Sequence, residues 1–356
     1  MDLSSRLLSW YQQNGRSLPW RGSKNAYHIW ISEIILQQTR VDQGISYFYR
    51  FVTAFPDVYS LAAAPGEKVL RLWQGLGYYT RARNLHKAAM EVVEKHNGML
   101  PGSCSELEQL PGVGPYTAAA VSSMAFGEVV PALDGNVYRV LSRLFAIDDP
   151  MDTARGKQVF KSLASDLIST RDPGGFNQAM MDFGSLVCKP LRPLCSTCIF
   201  RYECLAFSRN AVTRFPVRSP KKPPRDRYFV YAVLEEHTNT GEHYFYIQKR
   251  TARDIWKHLH EFPLMECPND PMKEEARIQS WLSSICGNED EWHFKRAPVY
   301  MKHQLTHQTI HACFVTVGID GRCAGKLVKA YMRTTKKAFD ELAKPRLIER
   351  FLAMLD

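Results

Sequence analysis

Four cysteines, Cys188, Cys195, Cys198 and Cys204, fall within 17 residues in a Cys-x6-Cys-x2-Cys-x5-Cys arrangement. Four thiolates on one short loop converge only around a centre of charge two or more. Zinc and an iron–sulfur cube both accept four thiolates, and spacing alone does not choose between them. The usual zinc pattern has two Cys-x2-Cys knuckles, and this loop has one. The other five cysteines are scattered. An odd total of nine, in a chain with no visible export signal, points to a reducing compartment and to a metal site rather than to bridges.

A second feature lies upstream. Leu110-Pro111-Gly112-Val113-Gly114-Pro115 runs into a helical pattern. Two glycines two apart allow a tight turn whose amides face outward beside a helix N-terminus, a phosphate-binding arrangement. The same residues also serve a helix-to-helix hairpin for its geometry alone. Two carboxylates stand out as well. Glu33 sits in IWISEIIL; facing inward it would lose hydration and become a general acid near neutral pH, and facing outward it would be an ordinary wet-face residue. Asp134 ends the apolar stretch VVPALD before Gly135 and Asn136. It reads either as a helix N-cap or as an ionised carboxylate beside a developing cation.

These groups need a scaffold. The chain has 356 residues, 45% hydrophobic and 23% charged, a globular composition long enough for two domains. Lys and Arg outnumber Asp and Glu by 46 to 36, so a polyanion suits it better than an acidic partner. The absence of any run of 18 apolar residues excludes a membrane-spanning helix. Residues 1–208 read as helical: Asn84–Asn97 is closed by Gly98, Pro115–Phe126 by Gly127, and Asn136–Ala146 and Asn177–Val187 carry apolar residues at helical spacing. Residues 209–227 hold seven Arg or Lys, four Pro and one acidic residue, and read as an extended basic linker that charge keeps from burial. Beyond it, Tyr228–Leu234, Tyr244–Gln248 and His311–Ile319 read as strands, with one or two helices over Ala338–Leu355.

LPGVGPYTAAAV, followed by LDGNV and then by the four-cysteine loop, resembles the helix-hairpin-helix DNA glycosylases that carry a four-iron, four-sulfur cluster. Within that family, WISEIILQQTRV (30–41), LWQGLGYYTRARNLHKAA (72–89) and FNQAMMDFGSLVC (176–188) are similar to the MutY branch, the adenine DNA glycosylases. The likeness runs from Leu18 to Cys204, with weaker likeness in HEFP (260–263) and HQLTH (303–307). It implies an all-α helix-hairpin-helix glycosylase domain over 1–208, with the hairpin at 110–121 and a [4Fe-4S] loop at 188–204. It also implies an α+β Nudix-like domain over 228–356 that recognises 8-oxoguanine.

The resemblance assigns roles as well. Glu33 and Asp134 become the catalytic pair of two-carboxylate glycoside cleavage. Glu33 would protonate N7 of a flipped adenine and later deprotonate water, while Asp134, oriented by Asn136, stabilises the oxocarbenium sugar. Tyr116 stands where related endonuclease III enzymes carry a Schiff-base lysine, which implies a monofunctional glycosylase with little strand cleavage. Gln38 and Tyr78 would fill the gap left by the flipped base, with Thr39 and Leu76 beside them against the orphan 8-oxoguanine. Arg16, Leu18, Trp20, Arg21 and Gln178 match the adenine pocket, and Gly112 and Gly114 the DNA-binding hairpin.

In the second domain, Thr306 keeps a hydroxyl that could address the damaged base, with His307 beside it, while Leu305 replaces the Phe frequent in the family. The dense carboxylate group that holds magnesium in Nudix hydrolases is missing, so this module is expected to bind rather than hydrolyse. His303, His307 and His311 would form a zinc face only on a helix, and this stretch reads as strand. The implied partner is double-stranded DNA with 8-oxoguanine·A or G·A mispairs, met by a monomer in a bacterial cytoplasm. Two other readings stay open: an endonuclease III-like lyase for oxidised pyrimidines, and a non-catalytic iron–sulfur DNA-binding sensor. Tyr116 and the second domain weigh against the first, and the Glu33–Asp134 pair against the second.

Overall fold

Short polar side chains start most of the helices in the first half. In the computed structural model, which describes residues 2–355 apart from 221–222, 239, 253 and 288, Asp2 accepts the Ser5 amide at 2.7 Å and caps α1 (Leu3–Asn14). Asn25 does the same for α2 (Ala26–Leu36), followed by α3 (Val41–Ala54) and α4 (Val58–Ala62). After α5 (Gly66–Trp73) come α6 (Thr80–His96), ended by Gly98 at φ +75°, and the single turn α7 (Cys104–Leu107). Pro115 opens α8 (Pro115–Val121), Asp134 caps α9 (Gly135–Leu144), Thr153 caps α10 (Ala154–Leu167), and Asp172 caps α11 (Pro173–Leu186). The turn α12 (Leu205–Ser208) closes the series. Leu7, Val140, Leu141, Phe160, Phe176 and Phe183 bury a common core, each contributing roughly 1.5–3 kcal/mol.

The chain divides into two compact units, one of Met1–Pro65 and Thr80–Pro220, the other of Gly66–Tyr79 and Lys221–Asp356. The second contains β1 (Arg225–His237), β2 (His243–Lys249), β3 (His260–Glu261), β4 (Leu264–Cys267), α13 (Glu275–Cys286), β5 (Trp292–Phe294) and β6 (Val299–Gln304). β7 (Gln308–Ile319), α14 (Gly321–Leu327), β8 (Met332–Thr335), α15 (Lys336–Glu341) and α16 (Arg346–Leu352) complete it. The strand order is β3-β2-β1-β7-β5, with β1 parallel to β7. Side chains alternate across β1: Val230, Ala232 and Leu234 pack under α13 and α14, whereas Phe229, Tyr231 and Val233 meet Phe339, Ile348 and Phe351 of α15 and α16. Both faces of the central strand are therefore buried, an α+β layering.

Three regions differ from the sequence reading. The helix from Pro115 loses α geometry at Val121 and continues as a π-turn over Ser122–Phe126. Ser123 Oγ donates back to the Ala119 carbonyl at 2.6 Å and accepts from Asn177 Nδ2 at 2.8 Å, competing with the backbone ladder. The basic stretch 209–227 is tethered rather than free. Phe215 is buried against Ala146 and Ala206, Val217 accepts the Met151 amide at 3.2 Å, and Arg225–Arg227 already belong to β1. Lys221 and Lys222 of that stretch lie outside the described residues. Finally, Gly66–Tyr79 groups with the second unit, where Lys249 pairs with Glu67 at 2.6 Å and the Tyr79 hydroxyl donates to the Lys344 carbonyl at 3.2 Å.

Candidate active site

Glu33 lies on a helix whose residues 29–35 are all buried, so the inward reading holds. It opens on a cavity of about 650 Å³, counting the mouth, lined also by Arg16, Leu18, Trp20, Arg21, Thr39, Tyr116, Asp134, Asn136 and Gln178. Leu36, Val41, Met124 and Met181 complete the wall. Burial pushes the Glu33 carboxyl up to about 7; the Tyr116 hydroxyl, which donates to Oε2 at 2.8 Å, pulls it down, and the nearby Asp134 raises it. A carboxyl poised there can both give and take a proton at neutral pH. Tyr116 is itself held as a phenol, first by burial and then by the charge of Glu33.

Asp134 is the N-cap of α9, as one of its sequence readings expected, and it also lines the cavity. Its Oδ1 caps α9 by accepting the Asn136 and Val137 amides at 2.8 Å each, while Oδ2 accepts Asn136 Nδ2 at 2.6 Å and the carboxylate faces the cavity. Burial raises its pKa, and these hydrogen bonds oppose the rise by favouring the charged form. Behind it stands Arg139, which the sequence reading passed over. Its Nη2 donates to Asn136 Oδ1 and to the Gly184 carbonyl, both at 2.7 Å, and its Nε donates to the Cys188 carbonyl at 2.8 Å. The only sequence signal was an arginine on the apolar side of a periodic helix.

Cys188, Cys195, Cys198 and Cys204 surround a second cavity together with Arg143 and Arg201. Four thiols lining one cavity are a donor set that fits a polythiolate metal centre. Arg143 adds a charge argument. It is 2% exposed, and its partners are the carbonyls of Lys189 (2.7 Å), Pro190 (2.8 Å) and Val212 (2.9 Å), with Nη1 reaching Cys188 Sγ at 3.4 Å. Among the described residues no carboxylate pairs with it, so a buried cation here calls for an anionic neighbour. The Phe200 amide also points at Cys198 Sγ, at 3.4 Å. The three histidines 303, 307 and 311 do not converge: His303 lies on β6, His311 on β7 beside Asp226, and His307 in the turn between.

The two residues matched to the base-gap wedge share an unusual backbone. Gln38 sits at φ +59° and Tyr78 at φ +48°, the left-handed region that non-glycine residues avoid. In the first unit Arg81 holds the Gln38 turn, donating to the carbonyls of Ile34 (3.0 Å), Ile35 (2.8 Å) and Gln37 and to Thr39 Oγ1 (3.3 Å). In the second unit the exposed Tyr78 hydroxyl bonds the Thr306 hydroxyl, Leu76 is buried, and His307 is exposed. The 110–115 turn joins α7 to α8. Gly112 adopts φ +79°, where a Cβ would also stand 2.6 Å from Asn84 Cβ, and Gly112 and Gly114 are both exposed.

Residues 31–164 match the HhH-GPD superfamily of base excision DNA repair proteins, and residues 231–354 match the NUDIX domain. A solved thermostable thymine-DNA glycosylase is 27% identical, with a TM-score of 0.54 over 58% of this chain and 95% of that one. A non-covalent endonuclease III–DNA complex is 25% identical, with a TM-score of 0.50 over 59% of this chain and 99% of that one. Fold and pocket together define a base-excision DNA glycosylase. The adenine DNA glycosylase of Buchnera aphidicola subsp. Acyrthosiphon pisum (strain APS) is 36% identical over 280 residues, 78% of this chain and 77% of that protein. That of Mus musculus is 36% identical over 332 residues, 80% of this chain and 64% of the mouse protein. This chain belongs to the adenine DNA glycosylase family. Among the described residues no helix is long and apolar enough to cross a membrane.

Proposed function

We propose that this enzyme removes adenine opposite 8-oxoguanine in duplex DNA by hydrolysis and leaves the strand intact. The observation that carries the reading is the shared cavity of Glu33 and Asp134, with a phenol rather than an amine bonded to Glu33. Adenine leaves as a better base once N7 is protonated, and protonated Glu33 supplies that proton. The bond from N9 to C1′ breaks, the electron pair stays with the base, and the sugar becomes an oxocarbenium ion. Asp134, whose charged form is favoured by its three hydrogen bonds, stabilises that cation. The Glu33 carboxylate then takes a proton from the water whose oxygen bonds to C1′. Tyr116 has no amine to form a Schiff base, so the abasic sugar is released without elimination.

Cys188, Cys195, Cys198 and Cys204 would hold a [4Fe-4S] cluster, an anionic centre that fixes the loop on which Arg139 and Arg143 are anchored. Arg16, Leu18, Trp20, Arg21 and Gln178 enclose the base. Gln38 and Thr39 of the first unit contact the mispaired DNA, as do, separately, Leu76, Tyr78, Thr306 and His307 of the second, and the amides around Gly112 and Gly114 take DNA phosphates. The test is single-turnover excision on 8-oxoguanine·A, 8-oxoguanine·C and thymine glycol duplexes, analysed with and without alkali. Adenine loss in the first duplex alone, with breaks only after alkali, is expected. Cleavage of the thymine glycol strand without alkali would overturn the reading of Tyr116, and binding without excision would make the protein a sensor.

A further inference from the structure

The cavity that holds Glu33 is also lined by two guanidinium groups, Arg16 and Arg21. Uncompensated, they would draw the proton off any carboxyl beside them. Their common partner is Asp182 on α11, fully buried and outside the cavity wall. Its Oδ1 accepts Arg16 Nε at 2.8 Å, Arg16 Nη2 at 2.5 Å and Arg21 Nη2 at 2.9 Å. Its Oδ2 accepts the Arg16 amide at 2.8 Å and Arg21 Nη1 at 2.5 Å. Five donors on one carboxylate occupy the hydrogen-bonding faces of both arginines. Nothing in the reaction described above uses Asp182.

We propose that Asp182 is a positioning residue acting through Arg16 and Arg21: it turns both guanidiniums onto itself and cancels charge beside Glu33, so that Glu33 retains its proton in the working pH range. The other groups around Glu33 leave this task to Asp182. Tyr116 comes from α8 and Asp134 from the start of α9; α3 contributes Val41, the π-turn Met124, and α11 Gln178 and Met181 to the cavity. Arg21 is the cation that already lowers the proton affinity of Glu33. Burial pushes the Asp182 carboxyl up, but the hydrogen bonds from Arg21 and Arg16 hold it below its usual range, so it stays charged at every pH of interest.

The inference rests on Glu33 as the general acid, and the experiment separates the two claims. Single-turnover excision of adenine opposite 8-oxoguanine is measured with the full chain, at saturating enzyme, from about pH 5 to about pH 9. The variants are Asp182→Asn, Asp182→Glu and Arg16→Gln. The wild-type rate should fall as pH rises above about 7. Asp182→Asn should move that midpoint down by about one pH unit, slowing excision roughly tenfold at alkaline pH and little at acid pH. Asp182→Glu should restore the midpoint. Arg16→Gln, which removes a cation and keeps the anion, should move it up. A purely structural defect would slow the reaction equally at every pH. The same midpoint in wild type and Asp182→Asn overturns the proposal alone. A wild-type profile without an alkaline fall overturns the role of Glu33 and the proposal with it. If Asp182→Asn does not fold, the direction of the Arg16→Gln shift decides, and a downward shift or none overturns the proposal.

Discussion

The base cavity of the first unit and the Tyr78–Thr306 contact of the second are built in opposite ways. Glu33, Tyr116 and Asp134 are brought together from three helices, removed from water, and each tied to a named partner. Tyr78 and Thr306 meet as exposed side chains, Tyr78 being 48% accessible and set on a left-handed backbone. Burial changes what a side chain does with a proton. Exposure lets a side chain meet a large polymer, and a constrained backbone limits the entropy lost on meeting it. On the roles proposed above, chemistry and recognition thus use different means of preorganisation in the same chain.

That contrast can be broken first at the carboxylates. Glu33→Gln and Asp134→Asn are each expected to reduce single-turnover excision by about 10³-fold or more, with duplex affinity within roughly threefold of wild type. Near-normal excision by either variant would remove the two-carboxylate mechanism. The same burial should be visible as a stability cost. Glu33 has a folded pKa of about 7 against 4.5 for the free group, so its stabilising contribution is full below about pH 4.5 and is lost as pH rises through 7. At alkaline pH the loss is at most about 3 kcal/mol, at 1.36 kcal/mol per unit. Glu33→Gln should therefore raise Tm over wild type more at about pH 8 than at about pH 5. An equal difference at both values would mean that water reaches the carboxyl.

A smaller effect is expected behind the cavity. Arg139→Leu removes the donor to Asn136 Oδ1 and the closer of the two side-chain donors to the Cys188 carbonyl, and should slow excision by about 10- to 100-fold. Iron content measured on the same sample distinguishes a loosened loop from a misaligned Asp134, and full activity would show that the link is idle. The mildest change belongs to the exposed contact. Thr306→Ala should reduce the preference for 8-oxoguanine·A over G·A by roughly fivefold, about one hydrogen bond, without altering the pH profile. An unchanged ratio would take Thr306 out of lesion recognition and weaken the contrast between the two regions.

The parts differ sharply in how readable they were. The cysteine loop is local: its four ligands fall within 17 residues, so composition and spacing suffice to mark a polythiolate centre. Helix limits were legible from caps and stops at Gly98, Pro115 and Asp134, because those residues act on their own backbone. The π-turn after Val121 was not, since it depends on Asn177 arriving from α11 to bond Ser123. Nor was the buried Phe215 in a stretch whose charge argued for solvent.

By itself the sequence determined the domain classes, the cysteine loop, the glycine turn and, through family likeness, which carboxylates to examine. Whether Glu33 faced water was beyond it: IWISEIIL is apolar on every side, and an all-round apolar helix carries no record of which face meets which neighbour. The tertiary structure decided that question, and it also paired Arg16 and Arg21 with Asp182 across more than 160 positions and linked Asn136 to Cys188 through Arg139. The physical reason is that proton affinity depends on dielectric and on neighbouring charge within a few ångströms, and those neighbours are assembled by packing, not by order along the chain.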